Sequence, residues 1–124
     1  MTISPVLLIR ADASPQIGAG HVMRCLSLAQ AAKAAGWDVV FASHGGHEPV
    51  RRRAEAAGCR WRPLDRAHPH PDDLRETLEA AHGEAASWVV VDGYPFDAGY
   101  QSSLREAGCR LMVVDDHRHL ECYH

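Results

Sequence analysis

Ala35-Gly36-Trp37 returns as Ala57-Gly58-Cys59 and again as Ala107-Gly108-Cys109, and this punctuation decides the fold. An Ala-rich or charged helical stretch precedes each phrase, and a short apolar run follows it. Glycine just past a helix takes φ > 0 and lets the chain reverse. The phrases therefore predict helix-to-strand turns that recur like a βα unit. A similarity this short is not a solenoid repeat.

The remaining elements follow from these marks. Ile3 to Ile9 is a near-continuous apolar run, suited to a first strand buried on both faces. Residues 10–20 form a loop. His21 to Ala35 is a helix with Val22, Cys25, Leu26, Ala29 and Ala32 on one apolar stripe. Trp37 to Ala42 is a strand, Ser43 to His47 a loop, Pro49 to Ala57 a basic-faced helix, and Arg60 to Leu64 a strand. Pro71 begins a helix that runs to about His82, with Asp72 and Asp73 in its first turn. Trp88 to Val91, Asp97 to Ala107 and Arg110 to Val114 complete the alternation as strand, helix and strand. Such a chain pairs its strands in parallel through right-handed crossovers. The expected fold class is α/β, an open doubly wound parallel sheet of about five strands. Ligands of such sheets collect at the carboxyl ends of the strands. Residues 10–21, Asp92-Gly93-Tyr94 and Asp115-Asp116-His117 all fall there.

The 124 residues suit one domain, and 46% apolar with 23% charged residues describes a soluble globular chain. A net charge of −3 gives no reason to expect nucleic acid or an anionic membrane as partner. No apolar run approaches the roughly 20 residues of a membrane span. The start, Met1-Thr2-Ile3-Ser4-Pro5, lacks the features of a signal peptide, so a cytoplasmic location is expected. Cys25, Cys59, Cys109 and Cys122 form no CxxC pair and read as reduced structural thiols.

The first βα connection carries the chemistry: Arg10-Ala11-Asp12-Ala13-Ser14-Pro15-Gln16-Ile17-Gly18-Ala19-Gly20-His21-Val22-Met23-Arg24. Gly18 and Gly20 allow close approach of backbone to ligand, and the first helical N–H groups favour a phosphate or diphosphate. A dinucleotide fingerprint needs a third glycine where Met23 stands, which argues against a nicotinamide or flavin cofactor. His21 opens the helix, where the dipole disfavours its protonated form and leaves an imidazole able to accept a proton. Arg24 lies one turn on, placed to pair with a phosphate or hold a carboxylate. Asp12 is placed to orient the imidazole or to bind sugar hydroxyls.

Arg10-x-Asp12-x-Ser14-x-x-Ile17-Gly18-x-Gly20-His21-Val22-Met23-Arg24-Cys25-Leu26 resembles the N-terminal signature of a hydrolase family. Its members act on UDP-2,4-diacetamido-2,4,6-trideoxy-altrose in pseudaminic acid biosynthesis, and the signature is similar to that of related spore-coat polysaccharide proteins. Val91-Asp92-Gly93-Tyr94 and Asp115-Asp116 extend the resemblance along the chain. It implies a Rossmann-like domain that is the N-terminal half of a GT-B-type fold, with the active site between two domains. It further implies that His21 is the base activating water against the anomeric carbon, releasing UDP with inversion and without a metal. It implies that Tyr94 lies near the sugar; with Arg10, Asp12, Gly18, Gly20 and Arg24, read from the loop's own chemistry, it makes up the expected substrate-binding set. Nucleotide contacts in that family come largely from the C-terminal domain. Residues 1–115 are accordingly expected to form the N-terminal domain, and residues 116–124 the start of a connection to a C-terminal domain missing here.

Other features read more plainly. His117, His119, Cys122 and His124 lack the spacing of a zinc site and suit a polar connection. His44-Gly45-Gly46-His47 suits a loop beside the cleft, and His68-Pro69-His70-Pro71 a rigid connector. Arg51-Arg52-Arg53 suits a solvated helix face. No metal or cofactor is expected, and the partners expected are a nucleotide sugar and the missing domain. The rival readings are a GT-B-type glycosyltransferase, with His21 deprotonating a sugar hydroxyl, and a binding module that has lost the chemistry.

Overall fold

The computed structural model describes residues 4–12, 20–44, 48–64, 72–92, 96 and 98–114. Strands and helices alternate throughout them: β1 (Val6–Ala11), α1 (Gly20–Ala34), β2 (Asp38–His44), α2 (Glu48–Ala56), β3 (Arg60–Leu64), α3 (Asp72–Gly83), β4 (Trp88–Asp92), α4 (Ala98–Glu106) and β5 (Leu111–Val114). All pairings are parallel, in the order β3-β2-β1-β4-β5. The fold is the expected α/β doubly wound, Rossmann-like sheet.

Period-two alternation gives each strand two apolar faces. Leu7, Ile9 and Ala11 of β1, with Val39, Phe41 and Val90, meet Cys25, Leu26 and Ala29 of α1 and Val50 and Ala54 of α2. Leu8, Val40, Val89 and Val91 point the other way, onto Ala80 and Ala81 of α3 and Tyr100 and Leu104 of α4. Each large side chain so buried contributes roughly 1.5–3 kcal/mol, which is why the central strands are apolar through most of their length. The α1-side flank of β4 and β5 is the exception. Trp88 and Met112 are exposed there, bordering a groove of about 300 Å³ with Leu28 and Trp37.

The predicted turns close as Schellman motifs. Gly36, Gly58 and Gly108 have φ of 92°, 88° and 92°. The next residue's N–H donates back to the helix in each case: Trp37 to Ala32 at 3.0 Å, Cys59 to Ala54 at 3.0 Å, and Cys109 to Leu104 at 3.1 Å. Helix α3 ends the same way, Ala86 N–H donating to Ala81 O at 2.9 Å, but Ala85 holds the left-handed position with φ of 52°.

Two strands run further toward the ligand side than expected. β1 begins at Val6 and includes Arg10 and Ala11, which pair with Ala42 and Asp92. β2 continues through Ser43 and His44, opposite Pro63 and Leu64 of β3. Arg10 stays in β1 because its side chain finds buried acidic partners, and β2 continues to His44, whose N–H donates to Asp12 Oδ1. Arg52 and Arg53 are exposed and Arg51 bonds Glu55 at 2.8 Å, as a solvated face should. Cys25 and Cys59 are buried and Cys109 half-buried, all as free thiols; Cys122 lies outside the described residues. No helix among the described residues is long and apolar enough to cross a membrane.

Candidate functional site

In this sheet α1 leaves β1 for one face, and α4 leaves β4 for the other. The crevice opened between β1 and β4 at their carboxyl ends is the expected ligand position. The register sets Ala11 opposite Asp92, so Asp12 and Asp92 stand at the two strand ends bordering that crevice.

Each carboxylate is held by an arginine. Asp12 accepts two bonds from Arg10, Nη1 to Oδ1 and Nη2 to Oδ2, the second 3.1 Å. Its Oδ1 also accepts the N–H of His44 at 2.8 Å. The Asp12 side chain keeps 17% of its surface exposed, whereas that of Arg10 has none. Arg10, expected to bind substrate, has no exposed side-chain surface, and its outward-facing partner is Asp12. Across the crevice, Asp92 faces α1 and takes Arg24 in two-point fashion, Nε to Oδ2 at 2.6 Å and Nη2 to Oδ1. Cys25 donates its thiol proton to Asp92 Oδ2 at 3.2 Å. Burial, then the charge of Asp92, push that thiol well above its ordinary pKa, with Arg24 opposing. Cys25 is a packing residue with a hydrogen bond and no nucleophile.

Behind Asp12 lies a buried polar cluster. Arg10 donates to Asp73 of α3, Nη2 to Oδ2 at 2.6 Å and Nε to Oδ1 at 3.3 Å, and its guanidinium carbon sits 4.9 Å from the Phe96 ring centroid. Tyr100 of α4 donates to Asp73 Oδ1 at 2.6 Å, and Thr77 to the same oxygen at 3.3 Å. Burial pulls the Arg10 pKa down, but Asp12 and then Asp73 outweigh it and hold the guanidinium charged. Burial raises the Tyr100 phenol well above its ordinary pKa, so it stays a donor.

Of the predicted site residues, Arg10, Asp12 and Arg24 are paired at the two strand ends bordering the crevice, and Gly20 is the first residue of α1. His21 is the second residue of α1, and its side chain lies outside the described residues. Gly18 and Tyr94 lie outside them too, as do Asp115, Asp116 and the histidines after them. Sequence reasoning missed Asp73, Thr77, Phe96 and Tyr100. The available signal was an arginine in β1 facing a core, which demands a buried acid. Among the described residues no group of three His, Cys, Asp or Glu side chains is placed to hold a metal.

No family model matches this sequence, and no curated protein matches it. The fold is similar to that of a glycosyltransferase from Rickettsia africae, with TM-score 0.68 and 12% identity over 94% of this chain and 32% of that one. It is similar also to MurG from Acinetobacter baumannii, with TM-score 0.62 and 13% identity over 90% and 34% of the two chains. This chain spans about a third of the length of both. A universal stress protein in complex with cAMP shares the fold at TM-score 0.57 and 17% identity, over 94% of this chain and all of the other.

Proposed function

We propose that this chain supplies the sugar-facing half of an enzyme that cleaves the anomeric C–O bond of a nucleotide sugar, most readily as a glycosyltransferase. The observation that carries the reading is the Asp12 carboxylate, fixed by Arg10 and by the His44 N–H yet open to the crevice beside the start of α1. A fixed, partly exposed carboxylate suits sugar hydroxyls, and the adjoining helix N-terminus suits the diphosphate. The likeness of fold to the Rickettsia africae glycosyltransferase and to MurG supports the class.

His21 is the base in this reading. Its imidazole takes the proton of an acceptor O–H as that oxygen bonds to the anomeric carbon. The bond to the diphosphate breaks, and its electron pair departs with UDP. Amides at the start of α1 offset the charge that develops. The remaining nucleotide contacts fall to a further domain.

A second reading keeps the same base and replaces the acceptor hydroxyl with water. The signature from Arg10 to Leu26 favours it, through its resemblance to hydrolases of UDP-diacetamido-trideoxyhexoses. UDP release separates the two readings. It is measured from UDP-sugars with and without sugar acceptors, in wild type and His21→Ala. Turnover only with an acceptor supports transfer, and release into water alone supports hydrolysis. Either must fall about 100-fold or more in His21→Ala if this histidine is the base. Equal rates in both proteins would remove His21 from the mechanism.

A further inference from the structure

We infer that Asp73 and Tyr100, on two helices behind the sheet, are positioning residues that set the Asp12 carboxylate through Arg10. The inference rests on the nucleotide-sugar reading for what Asp12 does, but not for how Asp12 is held.

One guanidinium faces two carboxylates in this cluster, and Arg10 and Asp73 have no exposed side-chain surface. Burying such charges is expensive, and apolar residues of similar volume usually serve stability as well or better. The cluster does, however, fix a direction. Asp73 takes the Nε and one Nη of Arg10, so the fork cannot rotate about its own axis. Tyr100 and Thr77 fix Asp73 in turn, and their hydroxyls lie 2.7 Å apart. Phe96 packs against the guanidinium, tilted on Tyr100 with centroids 4.9 Å apart. The remaining edge of the fork then points at Asp12, at the end of β1. Helices α3 and α4 thus reach the crevice through a chain of three side chains, Tyr100 to Asp73 to Arg10. An arginine paired with Asp12 alone would lack this second anchor.

The test uses Asp73→Asn and the milder Tyr100→Phe, each alone and combined with Asp12→Ala, in the full chain. Amide exchange at His44 reads the position of Asp12 without any substrate, because that N–H donates to Asp12 Oδ1. Exchange at His44 is expected to quicken about ten-fold in either variant while Val40, deep in β2, keeps its wild-type rate. An unchanged His44 amide overturns the inference. With a UDP-sugar substrate, each variant should lower kcat/KM about ten-fold in the wild-type background and less than two-fold once Asp12 is alanine. Equal losses in both backgrounds overturn it as well. Absence of any turnover by wild-type enzyme that includes the further domain would count against the nucleotide-sugar reading alone, and the His44 exchange would still decide the inference.

Discussion

Arg24, one helical turn after His21, grips both oxygens of Asp92 at the end of β4 and so ties the opening of α1 to the strand across the crevice. Asp92 is buried, whereas the Arg24 side chain keeps 27% of its surface. Removing the arginine leaves a buried carboxylate facing only partial compensation. Arg24→Ala should therefore cost about 2–3 kcal/mol, somewhat less than a fully buried pair because the arginine is partly solvated. Asp92→Asn should cost less, since it removes the buried charge itself. Urea denaturation of the two variants checks the order. A loss in Arg24→Ala below about 0.5 kcal/mol would show that the pair does not hold α1 to β4.

Ala85 occupies a backbone position that glycine fills at the ends of α1, α2 and α4. Its Cβ strains the left-handed conformation, at a cost that glycine avoids. Ala85→Gly should stabilise the fold by about 0.5–1 kcal/mol, once the greater freedom of glycine in the unfolded chain is subtracted. The converse change, Gly36→Ala, meets no atom within 4 Å, so its penalty is that of the backbone alone. It should destabilise by about 1 kcal/mol. Thermal melts of both variants test the pair, and a destabilised Ala85→Gly would contradict the account.

The alternation of elements was legible because local rules set it. Ala-Gly phrases close helices, and apolar runs fill two-faced strands. The ends of β1 and β2 were not legible, since the partners of Arg10 and His44 lie far off in sequence. Asp73 shows the limit well. Beside Asp72 in the first turn of a helix it reads as a charge complementing the dipole, and Asp72 remains at the surface near Arg75 at 3.6 Å. Asp73 instead faces inward to Arg10, from which it is separated by 63 positions. Nothing within a helical window distinguishes the two. At the candidate site, the sequence pointed to Arg10, Asp12, Arg24 and the Asp92 segment, and three-dimensional placement showed how they pair and that Asp73 and Tyr100 stand behind them.

Alkaline pH should weaken this fold. Burial, a stronger influence here than any neighbouring charge, raises the pKa of Cys25, Cys59 and Cys109 above that of an unfolded thiol, and burial does the same for the Tyr100 phenol. A raised folded pKa means that the unfolded chain releases its proton first. The stabilising contribution is complete below the unfolded thiol pKa, near about 8.5, and declines as pH rises above it. Tyr100 extends the decline beyond about pH 10. Tm should be level from pH 7 to about 8 and fall steadily toward pH 10.5. Cys25→Ala should make the slope shallower between pH 8.5 and 10, and an unaltered slope would exclude that thiol as a contributor.

Arg10 separates stability from positioning. Arg10→Met strands the carboxylates of Asp12 and Asp73 in or beside the core, and should cost about 3–5 kcal/mol. Replacing Asp73 by leucine at the same time removes the more deeply buried of the two charges and fills its place with apolar volume. The double variant should regain at least half of the lost stability, as buried ion pairs commonly do when exchanged for hydrophobic residues. The carboxylate of Asp12 would still lack its guanidinium, so exchange at His44 should stay fast, and any turnover of nucleotide sugars low, in the stable double variant. Denaturation and amide exchange on the same two proteins give the answer. Recovery of stability together with wild-type exchange at His44 would mean that Arg10 serves the core alone.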